Sequence, residues 1–131
     1  MKNSPSNLRH ILLKDARGRT QGWARLAETD GTLQVEMQRE AQEEGPPLRL
    51  LLISAGEEGA VLDLGAVDPA AGCTAVQYIT PLRLWDALAL AEDWPSGRLV
   101  AAGWLRETAG PLWRLAEAAA QFLQLPPAQS P

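Results

Sequence analysis

The sequence has few of the residues that most enzyme sites need. Its 131 residues include one cysteine, Cys73, and one histidine, His10. One cysteine excludes an internal disulfide, and the three or four closely spaced ligands of a zinc site are missing. The GxSxG motif and a glycine-rich phosphate loop before a helix are missing as well. We therefore predict no catalytic residue, no metal site and no cofactor.

The sequence also lacks the long apolar runs that cross membranes. No run reaches the roughly 18–20 residues of a membrane-spanning helix, so we expect no membrane association. A single cysteine fits a reducing compartment, and the expected localisation is cytoplasmic. A hydrophobic fraction of 46% and a charged fraction of 21% are those of one soluble globular domain.

Charge is unevenly distributed along the chain. Residues 1–25 carry six basic side chains and only Asp15 as an acid, a local charge of +5, which leaves −9 for the other 106 residues. A basic edge of this kind can meet nucleic acid or an acidic partner. Because no basic stripe is studded with aromatic residues, we interpret the edge as a complement to the acidic body. We predict no nucleic-acid partner.

One stretch, residues 21–39, carries the strongest structural signal. Asp30-Gly31 is typical of a two-residue type I′ turn, which predicts a hairpin in which residue numbers summing to 61 face each other. Leu26 then opposes Val35 on an apolar face, and Arg25 opposes Glu36 on a polar one. Trp23 does not fit this pattern, because it falls on the polar face opposite Gln38.

The rest of the chain reads as short strands followed by a helix. Alternation on the last strand puts Leu99, Ala101 and Leu105 on one face, and Gly65 is a candidate for a bulge or a close backbone approach. Two segments, 9–15 and 84–92, have features of both strand and helix, and we prefer strand for each. The further predicted strands span 48–54, 60–68, 73–80 and 98–106. The predicted helix spans 111–124, with Pro111 at its first position.

These elements predict a mainly β fold. We expect an antiparallel β-sandwich or barrel of about eight strands, mostly in meander order, with one C-terminal α-helix packed on it. The predicted organisation is a disordered tail at 1–8, a single β-rich domain at 9–125 and a second disordered tail at 126–131.

Tryptophan is over-used, with five residues against one Phe and one Tyr. Two of them follow a glycine, and alternation puts each on a strand face that also carries an arginine: Trp23 with Arg25, and Trp104 with Arg106. In one interpretation, which we favour, the C-terminal helix covers both indoles and Trp113 joins them. In the other, the four residues form an exposed platform that binds a sugar or peptide.

The strand sequences GWARL, LRLLLIS, LDLGAVD, ALALAED and LVAAGWL carry a resemblance to known domains. Over about residues 20–105 they resemble small β-domains of uncharacterised bacterial proteins and are similar to the β-sandwich domain of anti-sigma-K-type factors. The chain departs from those factors by lacking a membrane helix, an export signal and a separate sigma-binding segment. The resemblance implies a β-sandwich fold and carries over no catalytic residue.

Together these observations predict a non-catalytic binding or protein-interaction module with an unknown protein partner. An unpaired sheet edge would be the route to a homodimer. The alternative is small-molecule or carbohydrate binding through the tryptophan-bearing face. An enzyme is the least favoured class, because the carboxylates it would use are scattered and typical of solvated strand ends: Asp63, Asp68, Asp86, Glu92 and Asp93.

Overall fold

The computed structural model describes residues 7–40, 45–55, 60–68, 70–93, 97–106 and 110–121. Over these residues the protein is mainly β, with eight antiparallel strands and one helix at the C-terminal end, which confirms the predicted fold class. The strands are β1 (Asn7–Lys14), β2 (Thr20–Thr29), β3 (Thr32–Arg39), β4 (Leu48–Ser54), β5 (Ala60–Val67), β6 (Cys73–Ile79), β7 (Ala87–Glu92) and β8 (Leu99–Trp104). A short 3₁₀ turn, Leu82–Leu84, precedes β7, and the helix is α1 (Leu112–Ala120).

All eight strands belong to one sheet in the order β5-β4-β7-β8-β1-β2-β3-β6. The first and last strands, β5 and β6, follow each other in sequence and contact each other, so the sheet curls into a nearly closed barrel. The predicted meander order is confirmed at the β1–β2, β2–β3, β4–β5 and β7–β8 hairpins. It is wrong for β3–β6, β4–β7 and β1–β8, which pair strands that are distant in sequence.

The hairpin of β2 and β3 has the predicted register. Asp30 and Gly31 have φ angles of 52° and 79°, the left-handed conformation that a type I′ turn requires. Leu26 pairs with Val35, and Arg25 pairs with Glu36. Leu26 and Val35 are buried and Glu36 is exposed, so the alternation assigns the inner and outer faces correctly.

The two ambiguous segments are both strands. The first, 9–15, lies mostly in β1, which begins at Asn7 and so extends two residues into the predicted tail. The second, 84–92, contains β7 from Ala87 onward, while Leu84 belongs to the 3₁₀ turn. Residues 1–6 and 126–131 of the predicted tails lie outside the described residues.

The barrel interior is filled by large aliphatic side chains. Strand β4 is buried on both faces, because Leu50 points inward and Leu51 points to the outer side that the helix covers. This explains its nearly continuous apolar sequence. The largest fully buried interior side chains are Leu13, Leu26, Leu33, Met37, Leu50, Leu52, Leu88 and Leu90.

Helix α1 packs on the outer face of β4, β7 and β8. Its buried residues, Ala116, Ala119 and Ala120, are small, which lets the helix approach the sheet closely. It begins at Leu112, so Pro111 is the residue before the helix and not its first position. The predicted end of the helix at residue 124 lies outside the described part. No helix among the described residues is long and apolar enough to cross a membrane.

Two bulges change the alternation of side chains along the sheet. In β5, Leu50 pairs with Gly65 and Leu51 with Asp63, which places a bulge next to Gly65 as predicted. In β8 the pairing also shifts, and Val100 is the extra residue. Leu99 therefore packs with the helix on the outer face, so its predicted placement beside Ala101 is wrong.

Candidate functional site

The outer face of β1 and β2 carries large apolar side chains that remain exposed. Leu12 pairs with Trp23 across the two strands, and their exposed fractions are 54% and 40%. Leu8, which is 41% exposed, pairs with Ala27 on the same face. Cross-strand partners share a face of the sheet, so Leu12 and Trp23 form an exposed apolar pair, with Leu8 farther along the same face.

Basic side chains lie among these apolar ones. His10 pairs with Arg25 and is exposed, and Lys14 is exposed at the end of β1. Arg25 forms a loose ion pair with Glu36 on β3, with 3.9 Å between Nη1 and Oε1. We call the surface formed by Leu8, His10, Leu12, Lys14, Trp23 and Arg25 the β1–β2 face.

Trp104 lies on the other side of Leu12 from Trp23. Lys14 pairs with Ala102 across β1 and β8, and continuing this antiparallel register by two residues sets Leu12 opposite Trp104. The Cα atoms of Trp23 and Trp104 are therefore two strand spacings, about 10 Å, apart. Nothing in the sequence singles out Leu12, because the residues around it indicate neither the pairing of β1 with β8 nor the exposure of this side chain.

The helix covers only one of these two indoles. Trp104 and Trp113 pack against the cluster between the helix and the sheet. Trp23 is among the exposed large hydrophobic residues. The expectation that the helix covers both indoles is therefore wrong for Trp23, because the helix lies over β4, β7 and β8 and not over β2.

Arg106, the fourth predicted binding residue, is engaged elsewhere. Its Nε donates to Asp86 Oδ1, and its Nη2 donates to the carbonyl oxygen of Arg83 at 2.9 Å. Asp86 is buried, and its other oxygen accepts a hydrogen bond from the Ala55 amide at 2.7 Å. The structure thus brings Trp23 and Arg25 together on one surface and ties Arg106 to one end of the barrel.

A small cavity of about 100 Å³ lies at that end of the barrel, and we call it the barrel-end pocket. Three arginines from separate chain segments line it: Arg9, Arg83 and Arg106. Asn7 and three apolar side chains, Leu82, Trp85 and Leu105, complete the lining. The Trp85 indole N–H donates to Thr80 Oγ1 at 3.0 Å, which holds this wall in place.

Most of the candidate carboxylates already have partners. Arg49 Nη1 lies 3.7 Å from Asp63 Oδ2, and Arg49 Nε lies 3.2 Å from Asp93 Oδ1. Glu92 accepts two hydrogen bonds from Arg98, each at 3.0 Å. Those ion pairs, together with the Asp86–Arg106 pair, give these acids a structural role. Asp68 accepts a hydrogen bond from the Ala70 amide in the turn that follows β5.

The lone histidine and cysteine are far apart. His10 is on β1 and Cys73 is on β6, and two whole strands, β2 and β3, lie between them in the sheet. The described residues contain no group of three or more His, Cys, Asp or Glu side chains placed to hold a metal ion.

At the opposite end of the barrel from the pocket, the buried Arg39 Nη1 has no hydrogen-bond partner in the part described. Burial lowers the pKa of Arg39, but one nitrogen does not make a site.

Comparisons with protein-family models, with curated proteins and with solved structures find no match to this chain. The resemblance to anti-sigma-K-type β-domains therefore stays a prediction.

Proposed function

We propose that this protein is a non-catalytic protein-interaction module and that the β1–β2 face is its contact surface. The observation that carries the proposal is the pairing of Leu12 with Trp23 while both stay exposed. Exposed aromatic and aliphatic side chains that adjoin one another are typical of binding surfaces, because leaving them in water is unfavourable. The basic side chains among them favour an acidic partner.

The ion pairs of the carboxylates are consistent with a non-catalytic role. A glycosidase or related hydrolase needs two acids that converge on a substrate. Here Asp86, Asp63 and Glu92 face arginines in their own neighbourhood. The exposed Cys73 thiol fits the proposed cytoplasmic localisation.

A homodimer formed through a sheet edge has less support than a surface interaction. The two edge strands of the sheet, β5 and β6, contact each other as the barrel curls. Each edge is therefore partly shielded by the other, which leaves little room for a strand from a second copy.

The test uses two matched double variants. Leu12→Ser with Trp23→Ser removes the apolar part of the β1–β2 face, and Ile79→Ser with Leu84→Ser removes exposed apolar side chains elsewhere. Proteins from the source cells that bind the tagged native chain are identified and purified, and their affinities for all three chains are measured. We expect the first variant to weaken binding at least tenfold and the second to leave it unchanged. Equal affinity for all three chains would refute the proposal.

Carbohydrate binding is the second candidate, favoured by the exposed Trp23 ring beside Arg25. A sugar ring stacks on an indole and needs polar groups at its edge, which His10 and Arg25 supply. A glycan array probed with the native chain and with Trp23→Ser separates the two functions. Glycan binding that Trp23→Ser abolishes, without a protein partner, would replace the first proposal.

A further inference from the structure

The barrel-end pocket has an excess of positive charge. Three arginines line it, from β1, from the 3₁₀ turn and from the segment after β8. Arg106 is held by Asp86. No carboxylate among the described residues lies within 4 Å of a nitrogen of Arg9 or Arg83, and Arg9 Nη1 donates a hydrogen bond to the Leu8 carbonyl oxygen at 2.9 Å. Like charges gathered in this way repel each other unless an anion joins them.

The acidic groups nearby are already occupied. Asp86 accepts hydrogen bonds from Arg106 and from the Ala55 amide. Glu28 is buried, and its Oε1 accepts a hydrogen bond from Asn7 Nδ2 at 2.8 Å. Among the described residues, the lining of the pocket therefore holds three arginines and no carboxylate, and this excess of positive charge attracts an anion from solvent.

The size and lining of the pocket suit a small anionic group. The pocket has a volume of about 100 Å³ and opens to solvent on one side. About 10–15 Å³ of such volume is enough for one water molecule, so the pocket has room for a phosphate or carboxylate group. Leu82, Trp85 and Leu105 form an apolar wall on one side of the pocket, and the three arginines are exposed to solvent. An anion can therefore reach the arginines from solvent and form charge-assisted hydrogen bonds with them.

We propose that the barrel-end pocket binds the terminal phosphate or carboxylate group of a small molecule, with Arg9 and Arg83 as its main ligands and Arg106 as the third. Guanidinium groups suit both anions because their paired N–H donors match two oxygens at once. The rest of the ligand lies outside the pocket. The barrel-end pocket is separate from the β1–β2 face, so this proposal does not depend on the proposed interaction function.

The test is a titration followed by ¹H–¹⁵N NMR with the Trp85 indole N–H and the Arg83 and Arg106 amides as reporters. The probes are inorganic phosphate, pyrophosphate, acetate and succinate, each added to the native chain at constant ionic strength. We expect saturable shifts of the reporters with at least one probe. Tighter binding of the phosphates assigns a phosphate ligand, and tighter binding of the carboxylates assigns a carboxylate ligand.

Variants separate a site from general attraction to a basic surface. Arg83→Gln and Arg9→Gln should each weaken binding at least tenfold, whereas Arg17→Gln, in the exposed turn after β1, should not change it. Two outcomes would overturn the proposal: reporters that do not shift with any probe, or equal weakening by Arg17→Gln, which would mean an adventitious ion only. If Arg9→Gln disturbs β1, Arg83→Gln decides the question alone, because Arg83 lies outside the sheet.

Discussion

Leu12 and Trp23 face each other across β1 and β2 on the outer side of the barrel, and solvent reaches both. The same cross-strand arrangement in the interior would be part of a core. Here the helix lies too far along the sheet to cover the pair, because it packs over β4, β7 and β8. The result is an exposed apolar pair with the basic residues His10 and Arg25 beside it.

The exposure of Trp23 predicts a specific fluorescence result. In the variant Trp23→Phe, iodide should quench a smaller fraction of the tryptophan emission than in the native chain. Trp85→Phe should leave that fraction unchanged or raise it, because Trp85 is buried and bonded to Thr80. Stern–Volmer plots of the two variants and the native chain check this. Unchanged quenching in Trp23→Phe would contradict the exposed position of its ring.

The packing of helix α1 predicts that glutamate substitutions at Ala116 and Ala118 have different effects on the free energy of unfolding. Ala116 is fully buried against the sheet, and Ala118 is exposed on the same helix. Ala116→Glu should lower the free energy of unfolding by about 3 kcal/mol or more, because it buries an unpaired charge. Ala118→Glu should change it by less than about 0.5 kcal/mol. Urea unfolding measures both, and similar losses would contradict the packing of the helix on this face.

Local sequence was sufficient where one signal determined the structure. The Asp30-Gly31 turn fixed the register of β2 and β3, including the placement of Trp23 opposite Gln38. Alternation of Leu88 and Leu90 with alanines identified β7, although alanine and leucine favour helix elsewhere. In both cases the chemistry of a few adjacent residues decided the conformation.

Sequence failed where long-range pairing decided the structure. Nothing near β1 shows that it pairs with β8, and therefore that Leu12 lies between two tryptophans. The bulge at Val100 reverses the face of Leu99, and no glycine or proline marks it. The pocket joins residues from positions 7 to 106, so its three arginines could not be grouped from spacing along the chain.

Replacing the buried Asp86 with asparagine should lower the free energy of unfolding substantially. Asp86→Asn keeps the size of the side chain but weakens its bond to Arg106, and we expect a loss of about 2 kcal/mol of unfolding free energy. Asp63→Asn is the matched control, because Asp63 is about one-third exposed and lies 3.7 Å from Arg49. A loss below about 1 kcal/mol is expected there. Equal losses in urea unfolding would show that burial of Asp86 has little energetic effect.

Asp15 predicts a pH dependence of stability. Its Oδ1 accepts hydrogen bonds from the Arg19 and Arg17 amides, at 3.0 Å and 2.9 Å, and its Oδ2 accepts one from Gln21 Nε2. The bond from the Arg19 amide is the largest cause that lowers the pKa of Asp15 below its usual 3.8, and the bonds from Arg17 and Gln21 add to it. A carboxyl whose pKa is lower in the folded chain stabilises the fold above the unfolded pKa and stops doing so as the pH falls through the folded one.

The variant Asp15→Asn tests this, because asparagine resembles the protonated acid in shape and cannot carry the charge. We expect the native chain to be more stable than the variant at pH 7. The difference should begin to shrink near pH 3.8, where the unfolded chain takes up its proton, and continue to shrink at lower pH. Urea unfolding of both chains between pH 7 and the acid limit of folding measures the difference. A difference that stays constant through this range would mean that the Asp15 charge does not stabilise the turn between β1 and β2.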